Sequence, residues 1–209
     1  MKNKCIIGVL ALQGAVEPHK PHIEACGAQF RAVKTPEAFD AVDGFILPGG
    51  ESTTMLKLID IFGLWDSLAR NFERKPVWGI CAGAILMAET VYRDVDIPLT
   101  PSLSPEGRGG KEREIQKSFG LLPLTIQRNG YGRQLDSHTA QVNGYTVSFI
   151  RAPVITALGA GVETLATHEG ASVWVKSRQY MATTFHPELT PAFPSPMHRM
   201  FVDLVRKNP

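Results

Sequence analysis

The sequence lacks any long run of lysine and arginine, and its 22 basic residues are nearly balanced by 20 acidic ones, for a formal net charge of +2. Nucleic acid or an anionic membrane would call for a basic face, so neither is expected as a partner. No apolar run approaches the length of a bilayer span. Cysteine is scarce: Cys5, Cys26 and Cys81 have no metal-site spacing, and an odd count suits a reducing compartment. The opening Met1-Lys2-Asn3-Lys4 leads into an apolar run, but Gln13, Glu17 and His19 follow and no plausible cleavage site does. A secretory leader is therefore not expected, and a cytoplasmic location is. Internal repeats and linker-like stretches are also missing. What is present is 209 residues, 44% hydrophobic and 20% charged, enough for one globular domain with a sizeable core.

The first half alternates short apolar runs with amphipathic stretches. Strands are expected at 4–12, 29–33, 42–47 and 76–80. Helical stretches are expected at 16–25, from Ser52 towards Ile61, at 64–72 and at 82–90, with Pro18 and Pro21 confining the first to its later positions. This alternation predicts an α/β fold with a parallel, doubly wound sheet. The second half reads mostly as strands, at 121–127, 139–142, 145–150, 164–167, 172–176 and 181–185, before a final helix over 196–206. Residues 97–111, IPLTPSLSPEGRGGK, are dense in Pro, Ser and Gly without apolar period, and are expected to be a surface excursion.

Three motifs carry chemistry. Gly79-Ile80-Cys81-Ala82-Gly83 lies between an apolar strand and a helix, the pattern of a nucleophile elbow with Cys in place of Ser. Small flanking residues allow the sharp turn, and the N–H groups opening the helix favour a thiolate. A buried core cysteine at a tight turn fits the same string. His186-Pro187-Glu188 follows an apolar strand. Pro187 disfavours helical geometry at His186, and residues i and i+2 of an extended segment point the same way, so Glu188 can orient the imidazole. Alone, the tripeptide also fits a solvated surface pair. The other histidines, His19, His22, His138, His168 and His198, show no comparable carboxylate geometry and are expected to be surface or structural. Pro48-Gly49-Gly50-Glu51-Ser52 joins a strand to a helix. Its glycines let backbone N–H groups approach a developing oxyanion, although a tight turn with Ser52 as N-cap reads the same way. All three motifs fall at strand ends, where an open α/β sheet places its site.

In this order, these residues resemble the class I, triad-type glutamine amidotransferases, and more closely the glutaminase-subunit family of pyridoxal 5′-phosphate synthases. The resemblance runs through Gly8-Val9-Leu10-Ala11-Leu12-Gln13-Gly14-Ala15, Leu47-Pro48-Gly49-Gly50-Glu51-Ser52-Thr53-Thr54 and the Cys81 elbow. It continues through Gln127-Arg128-Asn129-Gly130-Tyr131-Gly132-Arg133-Gln134, Phe149-Ile150-Arg151-Ala152-Pro153 and Phe185-His186-Pro187-Glu188-Leu189-Thr190. The elbow and the His-x-Glu pair are common to many triad amidotransferases, whereas the Arg128 and Ile150-Arg151 segments narrow the choice.

The resemblance implies a flavodoxin-like fold with a mostly parallel central sheet flanked by helices. It implies a Cys81–His186–Glu188 triad, with L-glutamine contacted by Gly50, Glu51, Ser52, Arg128, Ile150 and Arg151. The oxyanion hole would come from the backbone N–H groups of Gly50 and Ala82. It further implies hydrolysis of L-glutamine to L-glutamate and ammonia, and delivery of the ammonia to a synthase subunit within a large hetero-oligomer. No cofactor is implied and no metal site is readable. A glutaminase subunit serving another acceptor, or a γ-glutamyl peptidase on the same fold, shares the catalytic motifs. Two departures stand out: Ile80, where relatives commonly carry a smaller polar residue, and residues 97–111, which read as an insertion.

Overall fold

The computed structural model describes residues 5–92, 115–128 and 137–208. The reading of residues 97–111 as a surface insertion lies outside them. The chain order is β1 (Ile6–Leu10), α1 (His19–Ala25), β2 (Gln29–Val33), α2 (Pro36–Asp40), β3 (Gly44–Leu47), α3 (Ser52–Ile61), α4 (Trp65–Arg74), β4 (Val77–Ile80), α5 (Ala82–Met87) and β5 (Ala88–Tyr92). After these come β6 (Leu122–Gln127), β7 (His138–Val142), β8 (Tyr145–Phe149), β9 (Val154–Leu158), β10 (Glu163–His168), β11 (Ala171–Ser177), β12 (Tyr180–Thr183), a 3₁₀ turn (Pro187–Leu189) and α6 (Pro196–Lys207).

The main sheet has seven strands in the order β10-β11-β12-β4-β3-β1-β2. From β2 to β12 every pairing is parallel, while β10 and β11 add an antiparallel edge. Smaller sheets, β5-β6-β9 and the β7-β8 hairpin, complete the β structure of the described residues. The central strands β3 and β4 are buried along their whole length, as strands covered on both faces must be. On one face Phe39, Phe45, Leu68, Phe72 and Leu86 pack with α2 to α5; on the other, Ile7, Ile46, Trp78, Phe201 and Val202 pack with α1 and α6. Because the central strands are parallel, the segments leaving β1, β3, β4 and β12 all emerge at one end of the sheet. Among the described residues no helix is long and apolar enough to cross a membrane.

Three local expectations are corrected. The helix expected over 82–90 stops at Met87, and Ala88–Tyr92 is a strand parallel to β6. Thr90, Val91 and Tyr92 have the β-branched and aromatic side chains that a pleated surface accommodates better than a helix does. Helix α1 begins at His19, so Pro21 lies inside its first turn rather than before it; that early, its missing N–H has no carbonyl to serve. The N-cap of α3 is Glu51, not Ser52: its carboxylate accepts from the N–H groups of Thr53 and Thr54 at 3.0 and 2.6 Å. Helix α2 and strand β9 were not anticipated. Thr35 caps α2 and Pro36 starts it, a local signal strong enough to hold a five-residue helix.

Candidate active site

Cys81 leaves β4 with φ 49° and ψ −103°, a region that residues with a Cβ rarely occupy. Its N–H donates to the Thr183 carbonyl on the neighbouring strand at 2.8 Å, and its own carbonyl accepts from Ile85 at 3.2 Å. The flanking glycines make the turn possible: a Cβ at Gly79 would meet the backbone of Gly83, and one at Gly83 would collide with the Leu47 carbonyl. Strand, strained residue and helix are thus packed with no room for a Cβ at either glycine.

His186 follows β12, with its backbone held by a pair of hydrogen bonds to β8: its N–H donates to the Ser148 carbonyl at 2.8 Å and its carbonyl accepts from Ser148 at 3.3 Å. His186 itself is extended, but Pro187–Leu189 folds into the 3₁₀ turn. Glu188 therefore reaches the imidazole by turning back, not along an extended segment as its spacing had implied. The Glu188 Oε1 to His186 Nδ1 distance is 2.7 Å, and the Glu188 side chain is fully buried. Burial alone would lower the pKa of His186; hydrogen bonds with Cys81 and Glu188, and the charge of Glu188, override it and raise the value to about 10. Burial would raise that of Glu188, but the hydrogen bond from His186, together with the charge on that ring, holds it below the usual carboxylate value.

The glycine turn after β3 packs directly against these groups. A Cβ at Gly49 would run into the His186 ring, and one at Gly50 into Gln13 Oε1. Gln13, just beyond β1, accepts from the Glu51 N–H at 2.9 Å. Arg128 donates to Thr53 Oγ1 at 2.9 Å, to Gln116 Oε1 at 2.6 Å and to Glu51 Oε1 at 3.1 Å. Burial would raise the pKa of Glu51, but hydrogen bonds from Thr54 and Thr53 bring it down to about 2, so the side chain is an anion at any physiological pH.

A cleft of about 380 Å³ opens over these residues. Cys81, Ala82, His186, Gly50, Glu51, Ser52, Arg128, Ile150 and Arg151 all line it, while Glu188 sits behind His186. Ser52 is buried at its edge, with its Oγ 3.4 Å from Gln116. Arg151, like Cys81, has a positive φ, of 44°. Among the described residues no group of three His, Cys, Asp or Glu side chains could hold a metal ion. Chemically, the cleft offers a cysteine sulfur, a protonated imidazole fixed by a carboxylate, and a fixed anion beside a guanidinium. Such a set suits attack on the carboxamide of a zwitterionic amino acid.

Sequence reasoning singled out neither Gln13 nor Gln116. Gln13 had a readable signal, a polar residue directly after a parallel strand and before Gly14; Gln116 had none, because its partners Ser52 and Arg128 are distant in the chain. Of the histidines expected to be surface or structural, His19, His22 and His198 are structural: all three are fully buried, and His19 lies within the field of Glu188.

The chain's likeness to known proteins spans the segments that carry these residues. The model of the SNO glutamine amidotransferase family matches residues 9–101 and 108–207. A protein of Deinococcus radiodurans, named pyridoxal 5′-phosphate synthase subunit PdxT, is 41% identical over 95% of this chain and 96% of its own. One of the same name from Streptomyces coelicolor is 40% identical over 100% and 97%. A solved structure described as a glutamine amidotransferase superposes with a TM-score of 0.77 at 35% identity, covering 96% of this chain and 98% of that one. A structure described as PurLQS from Thermotoga maritima, 14% identical with a TM-score of 0.55 over 98% of each chain, shares the fold.

Proposed function

The chain belongs to the SNO glutamine amidotransferase family, and on that premise we propose that it is the glutamine-hydrolysing subunit of a pyridoxal 5′-phosphate synthase. The observation that carries the reading is the short His186–Glu188 hydrogen bond beside Cys81, in a cleft that also holds the glycine turn. Full-length similarity to proteins named as subunits of that synthase supports the choice of acceptor over another amidotransferase.

In this mechanism the Cys81 thiolate, its proton already held by His186, attacks the side-chain carbonyl carbon of L-glutamine. The oxygen takes up the negative charge and is held by the N–H groups of Gly50 and Ala82. The C–N bond breaks as protonated His186 gives its proton to the leaving nitrogen, which departs as ammonia. His186, now neutral, takes a proton from water, whose oxygen attacks the γ-glutamyl thioester; the C–S bond breaks, and glutamate and the thiolate are regenerated. Glu188 keeps the imidazole in the tautomer and orientation that both steps need. Arg128 is already committed to Glu51, Thr53 and Gln116, so it holds the Glu51 carboxylate towards the substrate's α-ammonium, while Arg151 receives the α-carboxylate. Ser52 and Ile150 complete the wall.

Ammonia would be protonated in neutral water, so it passes directly to the synthase subunit of a hetero-oligomeric complex. The whole chain serves as one glutaminase domain, and its free cysteines fit a cytoplasmic setting. The test is to measure glutamate, ammonia and pyridoxal 5′-phosphate with the chain alone and with the cognate synthase subunit. Glutamine-dependent vitamer formation is expected from the mixture. Absence of hydrolysis in both, or cleavage of γ-glutamyl peptides indifferent to the synthase subunit, would overturn the reading.

A further inference from the structure

Behind the triad, α1 and α6 contribute three fully buried histidines, an unusual content for an otherwise apolar contact. Ser195, the N-cap of α6, accepts from the His198 N–H at 3.1 Å, and its Oγ lies 2.6 Å from His198 Nδ1. His198 Nε2 lies 2.8 Å from His19 Nδ1. The Ser195 N–H donates to His22 Nδ1 at 3.0 Å, and the His22 ring stacks on His198 at 4.3 Å between centroids. At the other end of this chain, His19 Nε2 and Glu188 Oε2 are both buried without a hydrogen-bond partner among the described residues. Each lies within the other's electrostatic reach.

The protons of the chain follow from its ends. Ser195 accepts from the backbone and has a hydroxyl proton to place on His198 Nδ1, the direction that the carboxylate at the far end selects. His198 then carries its proton on Nε2 and donates to His19 Nδ1, which leaves the His19 proton on Nε2. The opposite direction would turn a lone pair of His19 towards a carboxylate. We propose that His19 is a positioning residue for the catalytic carboxylate: its Nε2–H, aligned by Ser195 and His198, donates to the second oxygen of Glu188 across one water. The donor keeps Glu188 ionised and acceptor-only, so that Glu188 accepts from His186 Nδ1 and leaves His186 Nε2 to serve the thiol. Burial supports this by pushing His19 down to about 4 and His198 well below its ordinary value, so both rings are neutral at working pH and have one proton each.

The inference rests on the proposed glutaminase reading. Removing the donor raises the pKa of Glu188, which faces His186, His19 and, along its main chain, His22. A protonated Glu188 would donate to His186 Nδ1, leaving the wrong tautomer towards Cys81. Activity is lost as pH falls through the Glu188 pKa, so His19→Leu shifts the acid limb of kcat/KM to higher pH. It also lowers kcat roughly ten- to a hundredfold with KM unchanged, as expected for losing a hydrogen bond to a charged group. His19→Gln, whose amide reaches the Nε2 position, restores most of kcat and the profile; His19→Asn, which reaches only the Nδ1 position, does not. If His19→Leu fails to fold, the Gln and Asn pair carries the test. In a Glu188→Gln background, His19→Leu costs nothing further.

Peptide-resolved alkylation of Cys81 by iodoacetamide against pH reads the same shift without turnover. Failure of the wild type to hydrolyse glutamine would therefore sink the glutaminase reading while this measurement still judges His19. Wild-type kcat and pH profile in folded His19→Leu, equal behaviour of the Gln and Asn variants, or full additivity with Glu188→Gln would overturn the inference.

Discussion

Cys81 keeps its sulfur at the cleft only by holding φ at 49°, a conformation that costs a residue with a Cβ on the order of 1–3 kcal/mol. Nucleophile and strain are the same residue, so they can be separated by substitution. Cys81→Ala removes the thiol and keeps the strain: glutamine hydrolysis is expected to fall about 10⁴-fold or more with circular dichroism unchanged. Cys81→Gly is equally inactive but relieves the backbone, and its urea midpoint is expected to equal or exceed that of the Ala variant despite the greater chain entropy of glycine. A lower midpoint for Gly would mean that the turn is unstrained. His186 makes a second prediction, on pH. Its folded pKa is raised from 6.5 to about 10, so its contribution to stability is complete below pH 6.5 and disappears as pH rises through 10. Melting temperature should therefore decline over that window in the wild type and less steeply in His186→Asn; identical slopes would count against the buried imidazolium.

Among the elements, α5 and α3 bear the site, and each depends on one tight contact. Helix α5 can approach β3 because Gly83 presents no Cβ to the Leu47 carbonyl. Gly83→Ala is expected to destabilise the protein by about 1–3 kcal/mol in equilibrium unfolding and to depress activity together with stability. Helix α3 is capped by Glu51, and Glu51→Ala should cost about 0.5–2 kcal/mol and raise KM for glutamine, because the cap is also the proposed ammonium contact. A stability loss with unchanged KM would restrict Glu51 to its capping role. Much of this layer was legible in the chain itself. The Gly-x-Cys-x-Gly spacing announced α5, and the apolar run over 42–47, stopped by Pro48, announced the strand that forms β3 at Gly44–Leu47. Other features were hidden because their causes are long-range. Strand β5 was read as helix until its pairing with β6 was in view, since Ala88 and Glu89 are good helix formers. The histidine cluster was invisible because His19 and His198 meet across 179 residues of sequence. The cleft-lining residues, by contrast, all lie within a few positions of strand ends, where pattern and topology agree.

For the molecule as a whole, the proposed partner should act on rate as well as on delivery. The Gly49 carbonyl accepts from Ala15 at 3.0 Å and Gln13 braces the Glu51 N–H, so the glycine turn is held by contacts that a docked subunit could rearrange. The isolated chain is expected to hydrolyse glutamine roughly 10²-fold more slowly than the complex, the effect of one missing oxyanion donor; equal rates with and without the synthase subunit would contradict this. Residues 102–110 contain only Leu103 as a large apolar side chain, and the family match passes from residue 101 to 108. Their deletion should leave melting temperature and partner-activated ammonia release nearly unchanged, since loop shortening alters closure entropy by no more than about 1 kcal/mol. A large drop in melting temperature would show that they pack as structure. The Ser148 bridge sets a further property of the assembly. The backbone of His186 is tied on two sides: it follows β12, which pairs with β4 and accepts the Cys81 N–H at Thr183, and it bridges to Ser148 of β8, which continues directly into Ile150 and Arg151. The imidazole is therefore the joint between the sheet that carries the sulfur and the hairpin that carries one wall of the cleft. A neighbour docked on the hairpin shifts the Ile150–Arg151 wall about a hinge at His186, so the width of the cleft changes while β12 keeps base and sulfur in register.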